Sequence, residues 1–94
     1  MQKFLASLGE VELTKERERH IFQFHPEVKF YRGYFQRAIA KPDKTRRSAF
    51  ASNVVILYGF LASAKKYLAI VIKTNKRNFI LTAYLTHRIK HNLA

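Results

Sequence analysis

Two histidines bracket the end of a short charged segment, His20 with Glu16 one turn before it and His25 with Glu27 two residues after it. Imidazole is the side chain that titrates near neutral pH, and a carboxylate beside it stabilises the imidazolium and orients the ring. Far along the chain Thr82 and Tyr84 alternate as residues i and i+2, so on a strand both hydroxyls share one face. Lys73 stands just before the turn that leads to them. RNA carries its own nucleophile in the 2′-OH, so its cleavage needs a general base, a general acid, and cations or hydroxyl donors on the phosphate. His20, His25, Glu27, Thr82 and Tyr84 are the catalytic candidates for that chemistry. Each has a plainer reading too: a surface i,i+4 pair for His20, a capping turn for His25-Pro26-Glu27, strand propensity for Thr82 and Tyr84, and a solvated edge lysine for Lys73.

The charge points to the same kind of ligand. Eighteen Lys and Arg oppose six acids in 94 residues, a formal net charge of +12. All six carboxylates lie at or before Asp43, and the chain beyond it carries ten Lys or Arg and no acid. A region so one-sided favours a polyanion through counterion release. Arg17, Lys44, Arg46, Arg47, Lys66, Lys73, Lys76 and Arg77 are the expected phosphate and RNA contacts. A basic face that docks an acidic protein, or that serves solubility alone, is the competing use of the same charge. Two-metal nuclease chemistry needs several converging acids, which the second half of the chain does not offer. His87 and His91 have a metal-binding helical spacing but no third ligand nearby, so no metal and no cofactor is expected. Tyr31, Tyr34 and Tyr58 could stack on bases or fill the core.

The positioning elements follow from capping and periodicity. Residues 10–13 alternate enough for one short edge strand. Thr14 reads as an N-cap, with Glu16 and Glu18 in the first turns where the helix dipole favours acids, and a helix runs to about Phe24. Pro26 pushes His25 out of the helical region and opens a second helix to about Ala40, with Val28, Tyr31, Phe35, Ala38 and Ile39 on one face. The rest reads as strands: a basic stretch 44–50, then 53–61, 66–73 and 78–84, rich in Val, Ile, Leu and aromatics. Alternation in the last strand separates Phe79, Leu81 and Ala83 from Ile80, Thr82 and Tyr84. The expected fold is α+β, two N-terminal helices on one face of a four-stranded antiparallel meander whose other face is open. A helical part of about 10–43, a sheet part of about 44–85 and a basic tail 86–94 make a single domain.

Hydrophobic residues are 48% of the chain and aromatics 14%, enough for a packed core, and there is no cysteine for a disulfide or thiolate-bound zinc. No apolar run approaches the roughly 18 to 20 residues of a membrane span and no secretory h-region opens the chain, so a cytoplasmic protein with no membrane partner is expected.

Leu13-Thr14, Glu16-Arg17, His20-Ile21, His25-Pro26-Glu27, Pro42-Asp43, Lys66-Tyr67, Val71 to Lys73 and Phe79-Ile80-Leu81-Thr82-Ala83-Tyr84, read in order, form a pattern. It resembles the phage- and toxin-associated nuclease domains of the barnase–EndoU–colicin D–RelE-like fold group, over about residues 9–84. The resemblance implies a metal-independent ribonuclease, with N-terminal helices before a four-stranded antiparallel sheet. It also implies a toxin held by an acidic antitoxin or immunity protein. By position it carries the helix histidine onto His20, the turn motif onto His25 and Glu27, and the strand hydroxyls onto Thr82 and Tyr84. The chain departs from the pattern around Tyr58, where a cation is expected and Leu57-Tyr58-Gly59-Phe60 has none. Phosphate stabilisation then falls to Lys73, Arg17 or the stretch 44–47. The expected function is a metal-independent endoribonuclease acting by 2′-OH attack. The alternatives are a non-catalytic RNA- or DNA-binding module and a basic protein that docks an acidic partner.

Overall fold

The computed structural model describes residues 1–48 and 51–89. The chain opens with a hairpin, β1 (Gln2–Ala6) and β2 (Gly9–Leu13), whose tight turn is closed by Gly9 at φ +112, a conformation a side chain would strain. Helix α1 (Lys15–Phe24) begins where the Thr14 side chain accepts a hydrogen bond from the Arg17 backbone N–H. It ends at His25, whose φ of −134 and ψ of 69 lie outside the helical region that Pro26 disfavours for its neighbour.

The second helical segment is not the continuous helix expected. Residues Pro26–Tyr34 form tight 3₁₀ turns, broken at Tyr31 (φ −112, ψ 16), and only Phe35–Ala40 is α-helical (α2). A crowd of aromatics around Gly33 makes this stretch a poor helix former, and burial of Val28, Phe35, Ala38 and Ile39 decides its path instead. Four of the five residues assigned to the inward face are buried and Tyr31 is partly so.

From α2 the chain enters β3 (Lys44–Arg47) and winds through β4 (Val54–Leu61), β5 (Lys66–Thr74) and β6 (Asn78–Thr86) as antiparallel neighbours. The sheet therefore differs from a four-stranded meander. Among the described residues it has six strands in the order β1-β2-β6-β5-β4-β3, and β2 pairs with β6 in parallel. The N-terminal hairpin adds the two strands beyond the meander: β2 is the strand expected at 10–13, but it lies between β1 and β6 rather than at an edge. Its attachment to β6 joins residues 67 positions apart, Val11 with Asn78 and Glu12 with Phe79, a pairing that local sequence patterns do not report. Asn78 reinforces it by donating its side-chain amide to the Leu8 and Glu10 carbonyls.

The helices cross the sheet on one face and bury the main core there, from Phe4, Val11 and Leu13 through Ile21, Phe35 and Ile39 to Leu57, Leu68, Ile70, Ile72 and Ile80. Gly59 lets α2 approach β4 closely, since a Cβ there would lie 2.7 Å from that of Ala38. Arg32 ties the hairpin to the helices, bonded to Glu18 and Gln2 with its guanidinium over the Phe4 and Phe35 rings at 5.1 and 4.9 Å.

A β-bulge corrects the expected alternation of the last strand. Val71 pairs with Thr82 but Ile72 pairs with Ile80, which leaves Leu81 as the extra residue. Ile80 and Ala83 consequently both face the core, while Phe79, Thr82 and Tyr84 share the opposite face. That opposite face is also less open than expected. Ile56, Tyr58 and Ala69 are buried on it, with Tyr67, Val71, Tyr84 and Ile89 packed against them.

Candidate functional site

β2 pairs with β6 only at Asn78 and Phe79, so α1 and the 3₁₀ segment, rather than another strand, pack along the rest of β6. This brings the turn after α1 to the last strand. The ring of His25 lies 6.1 Å from that of Tyr84, inclined at 42°. Glu27 lies near the imidazole, its Oε2 3.8 Å from Nδ1, both side chains partly exposed. The His-Pro-Glu turn thus places a histidine, with a carboxylate nearby, beside the ring of a strand tyrosine.

Tyr84 is anchored from the sheet as well. Tyr58, Ala69 and Tyr84 pair across β4, β5 and β6, and because Ala69 has no side chain beyond Cβ the two phenols can meet over it. Burial raises the Tyr84 pKa above its ordinary value of 10.0. The Tyr58 phenol adds to the rise through its charge and a hydrogen bond, while the charge of the Arg46 guanidinium pulls the other way. At neutral pH Tyr84 therefore keeps its proton and can donate it in a hydrogen bond.

Arg46 supplies a cation beside the strand where Leu57 to Phe60 has none. It sits on β3 opposite Ile56, and from there the row continues through Val71 to Thr82. Its Nε is buried and has no hydrogen-bond partner among the described residues. Lys44, opposite Tyr58, shares its face. Alternation along Lys44-Thr45-Arg46-Arg47 was the signal that could have separated Arg46 from Arg47. Arg47 projects to the other side and donates to the Ser52 carbonyl. Lys66, opposite Leu61, likewise falls on the helix-bearing side, whereas Lys73, opposite Phe79, lies on the Tyr84 face.

The other candidates lie elsewhere. His20 is exposed, and its ring packs at 4.7 Å against Phe24 rather than pairing with Glu16. With Thr14, Glu16, Arg17, Arg19 and Gln23 it lines a groove along the outer side of α1. Arg17 also lines a neighbouring groove of about 630 Å³ with Lys76, Arg77, Glu12 and Phe79. Arg77 is 3.9 Å from Glu12 there. Five of the six carboxylates are engaged within the chain: Glu10 with Lys3, Glu12 with Arg77, Glu18 with Arg32, Glu27 with His25, and Asp43 with the Phe60 N–H. Arg46, Lys44 and Lys73 have no carboxylate partner among the described residues.

Tyr31 and Tyr34 pack against each other on the helical side, away from Tyr84's face, and Tyr58 is 1% exposed, so stacking of a base directly on Tyr58 is closed off. Among the described residues no three His, Asp or Glu side chains gather as a metal site, and His91 lies outside them. Among the described residues no helix is long and apolar enough to cross a membrane. Comparison of the chain with known protein families, curated proteins and solved structures returns no match, so the functional reading rests on the residues themselves.

Proposed function

We propose that this protein is a metal-independent endoribonuclease that cleaves RNA by attack of the 2′-OH. The observation that carries the reading is the contact of the His25 ring, with Glu27 nearby, with that of Tyr84, on a face where Arg46 has an unsatisfied buried Nε. A histidine takes the 2′-OH proton as the 2′ oxygen bonds to phosphorus. The P–O5′ bond breaks, and a second group returns a proton to the departing 5′ oxygen, leaving a 2′,3′-cyclic phosphate. His25 is one of the two proton carriers, and His20, exposed on the outer side of α1, is the remaining histidine of this helix for the other. The protonated Tyr84 phenol, the Thr82 hydroxyl and the Arg46 guanidinium donate to the phosphoryl oxygens as their charge grows. Lys44, Lys73, Arg17, Lys76 and Arg77 hold the flanking phosphates.

The deciding experiment incubates purified protein with total RNA in EDTA and maps the new ends. Cleavage leaving cyclic phosphates, lost in His25→Ala with binding retained, supports the reading. Intact RNA after prolonged incubation with folded protein overturns it. The exposure of His20 and its lack of contact with the sheet favour one second reading, a module that binds RNA without cutting it. That module would show salt-sensitive binding untouched by His25→Ala. If the basic face instead serves an acidic antitoxin-like protein, RNA affinity would be weak and the protein complex stable.

A further inference from the structure

Beyond the reacting groups, the same face carries a line of aromatic rings that the cleavage chemistry does not use. Phe60 and Tyr67 pair across β4 and β5 with ring centroids 5.2 Å apart and planes at 62°. Tyr67 in turn meets Tyr58 edge-on at 6.4 Å, Tyr58 and Tyr84 flank Ala69 on this face, and the Tyr84 ring reaches that of His25. Phe60 is 48% exposed, which is costly for an apolar ring at the end of a well-paired strand. Its backbone is also held firmly. Its N–H donates to the Asp43 carboxylate at 2.7 Å, and the preceding Gly59 is packed under Ala38. Lys44 lies two residues along on this face, opposite Tyr58, with Arg46 beyond it.

We propose that Phe60 and Tyr67 form a nucleobase-stacking subsite for single-stranded RNA, one to two strands from Tyr84. A rigid exposed ring offers a flat surface to a base at little entropic cost, and the neighbouring cations match the backbone that joins that base to the next phosphate. Two strands of separation and two residues along the strand put the subsite about 12 Å from Tyr84. A duplex, whose bases already stack on one another, cannot use it. The proposal deepens the RNA-binding half of the function given above and does not depend on its catalytic half.

The test is fluorescence anisotropy with a labelled 2′-O-methylated single-stranded oligonucleotide, which lacks the nucleophile and so reports binding alone. Phe60→Ala is expected to weaken binding about tenfold, with the slope of log K against log salt unchanged because no phosphate contact is lost. Phe60→Trp should retain the affinity, and Phe60→Leu should not. Binding of a duplex of the same sequence should be indifferent to all three. Affinity of Phe60→Ala within twofold of the parent overturns the proposal, as does full affinity in Phe60→Leu or an equal loss on duplex. Thermal melting of each variant confirms the fold, which an exposed ring should not govern. Phe60-dependent binding by a protein that leaves native RNA intact in EDTA would remove the nuclease reading and leave the subsite standing. Cleavage by a protein whose binding ignores Phe60 would do the reverse.

Discussion

Tyr58 and Tyr84 stand in one row of the sheet, two strands apart, on the same face with only Ala69 between them. Burial first, and the neighbouring Tyr58 phenol second, make Tyr84 a proton-retaining donor beside the His25 turn. The two phenols can share this row because the residue between them is the smallest that still favours an L-residue backbone.

Ala69→Leu should drive those phenols apart. Overpacking a residue that is 0% exposed is expected to cost about 1 to 3 kcal/mol. Cleavage should fall beyond what the stability loss explains, measured at a temperature where the variant is still folded by circular dichroism. An Ala69→Leu protein cutting RNA at the parent rate would show that the Tyr58 contact has no role in activity.

Tyr84→Phe keeps the ring against His25 and removes the donor. Loss of one preorganised hydrogen bond to the phosphoryl group should lower kcat about 10²- to 10³-fold. Removal of the imidazole in His25→Ala should lower it about 10²- to 10⁴-fold. Single-turnover assays on a labelled RNA in EDTA read both. The two effects should be less than multiplicative in the double variant, because the groups act on one transition state.

The raised Tyr84 pKa has a consequence for stability at high pH. Folding favours the protonated phenol, so its contribution is fully present below about pH 10, the unfolded value, and is lost as pH rises through the higher folded value. Denaturant melts across that window should fall more steeply for the parent than for Tyr84→Phe. Parallel curves would mean that Tyr84 titrates normally.

Arg46→Ala should weaken single-stranded RNA binding and lower the salt slope by about 0.7, one phosphate contact. Arg46→Lys should restore the slope but not the cleavage rate, because an ammonium lacks the planar fork of the guanidinium. A salt slope unchanged in Arg46→Ala would place the phosphate elsewhere.

Gly59→Ala tests the seat of α2 on β4. The new Cβ would lie 2.7 Å from Ala38 Cβ and 3.3 Å from its Cα, both on a packed helix that cannot simply yield. A loss of about 1 to 3 kcal/mol in urea unfolding is expected, and no loss would mean that α2 shifts freely.

Local signals in the sequence determined the local structure. Thr14 capped α1, Pro26 ended it at His25, and the β-rich segments after Asp43 became successive antiparallel strands, because capping, proline sterics and short connections act between near neighbours. The excess of cations over acids was likewise legible without coordinates. Tertiary structure alone decided the rest. The pairing of β2 with β6 depends on contacts across 67 residues, and the broken second helix on the burial of Val28 and Phe35 rather than on propensity. The bulge at Leu81 depends on register against β5, and one inserted residue exchanges every side chain between faces beyond it. For that reason Thr82 and Tyr84 share their face with Phe79 and not with Ile80. The meeting of Tyr84 with His25, Tyr58 and Arg46 draws on three distant segments whose spacing in the chain carries no trace of it.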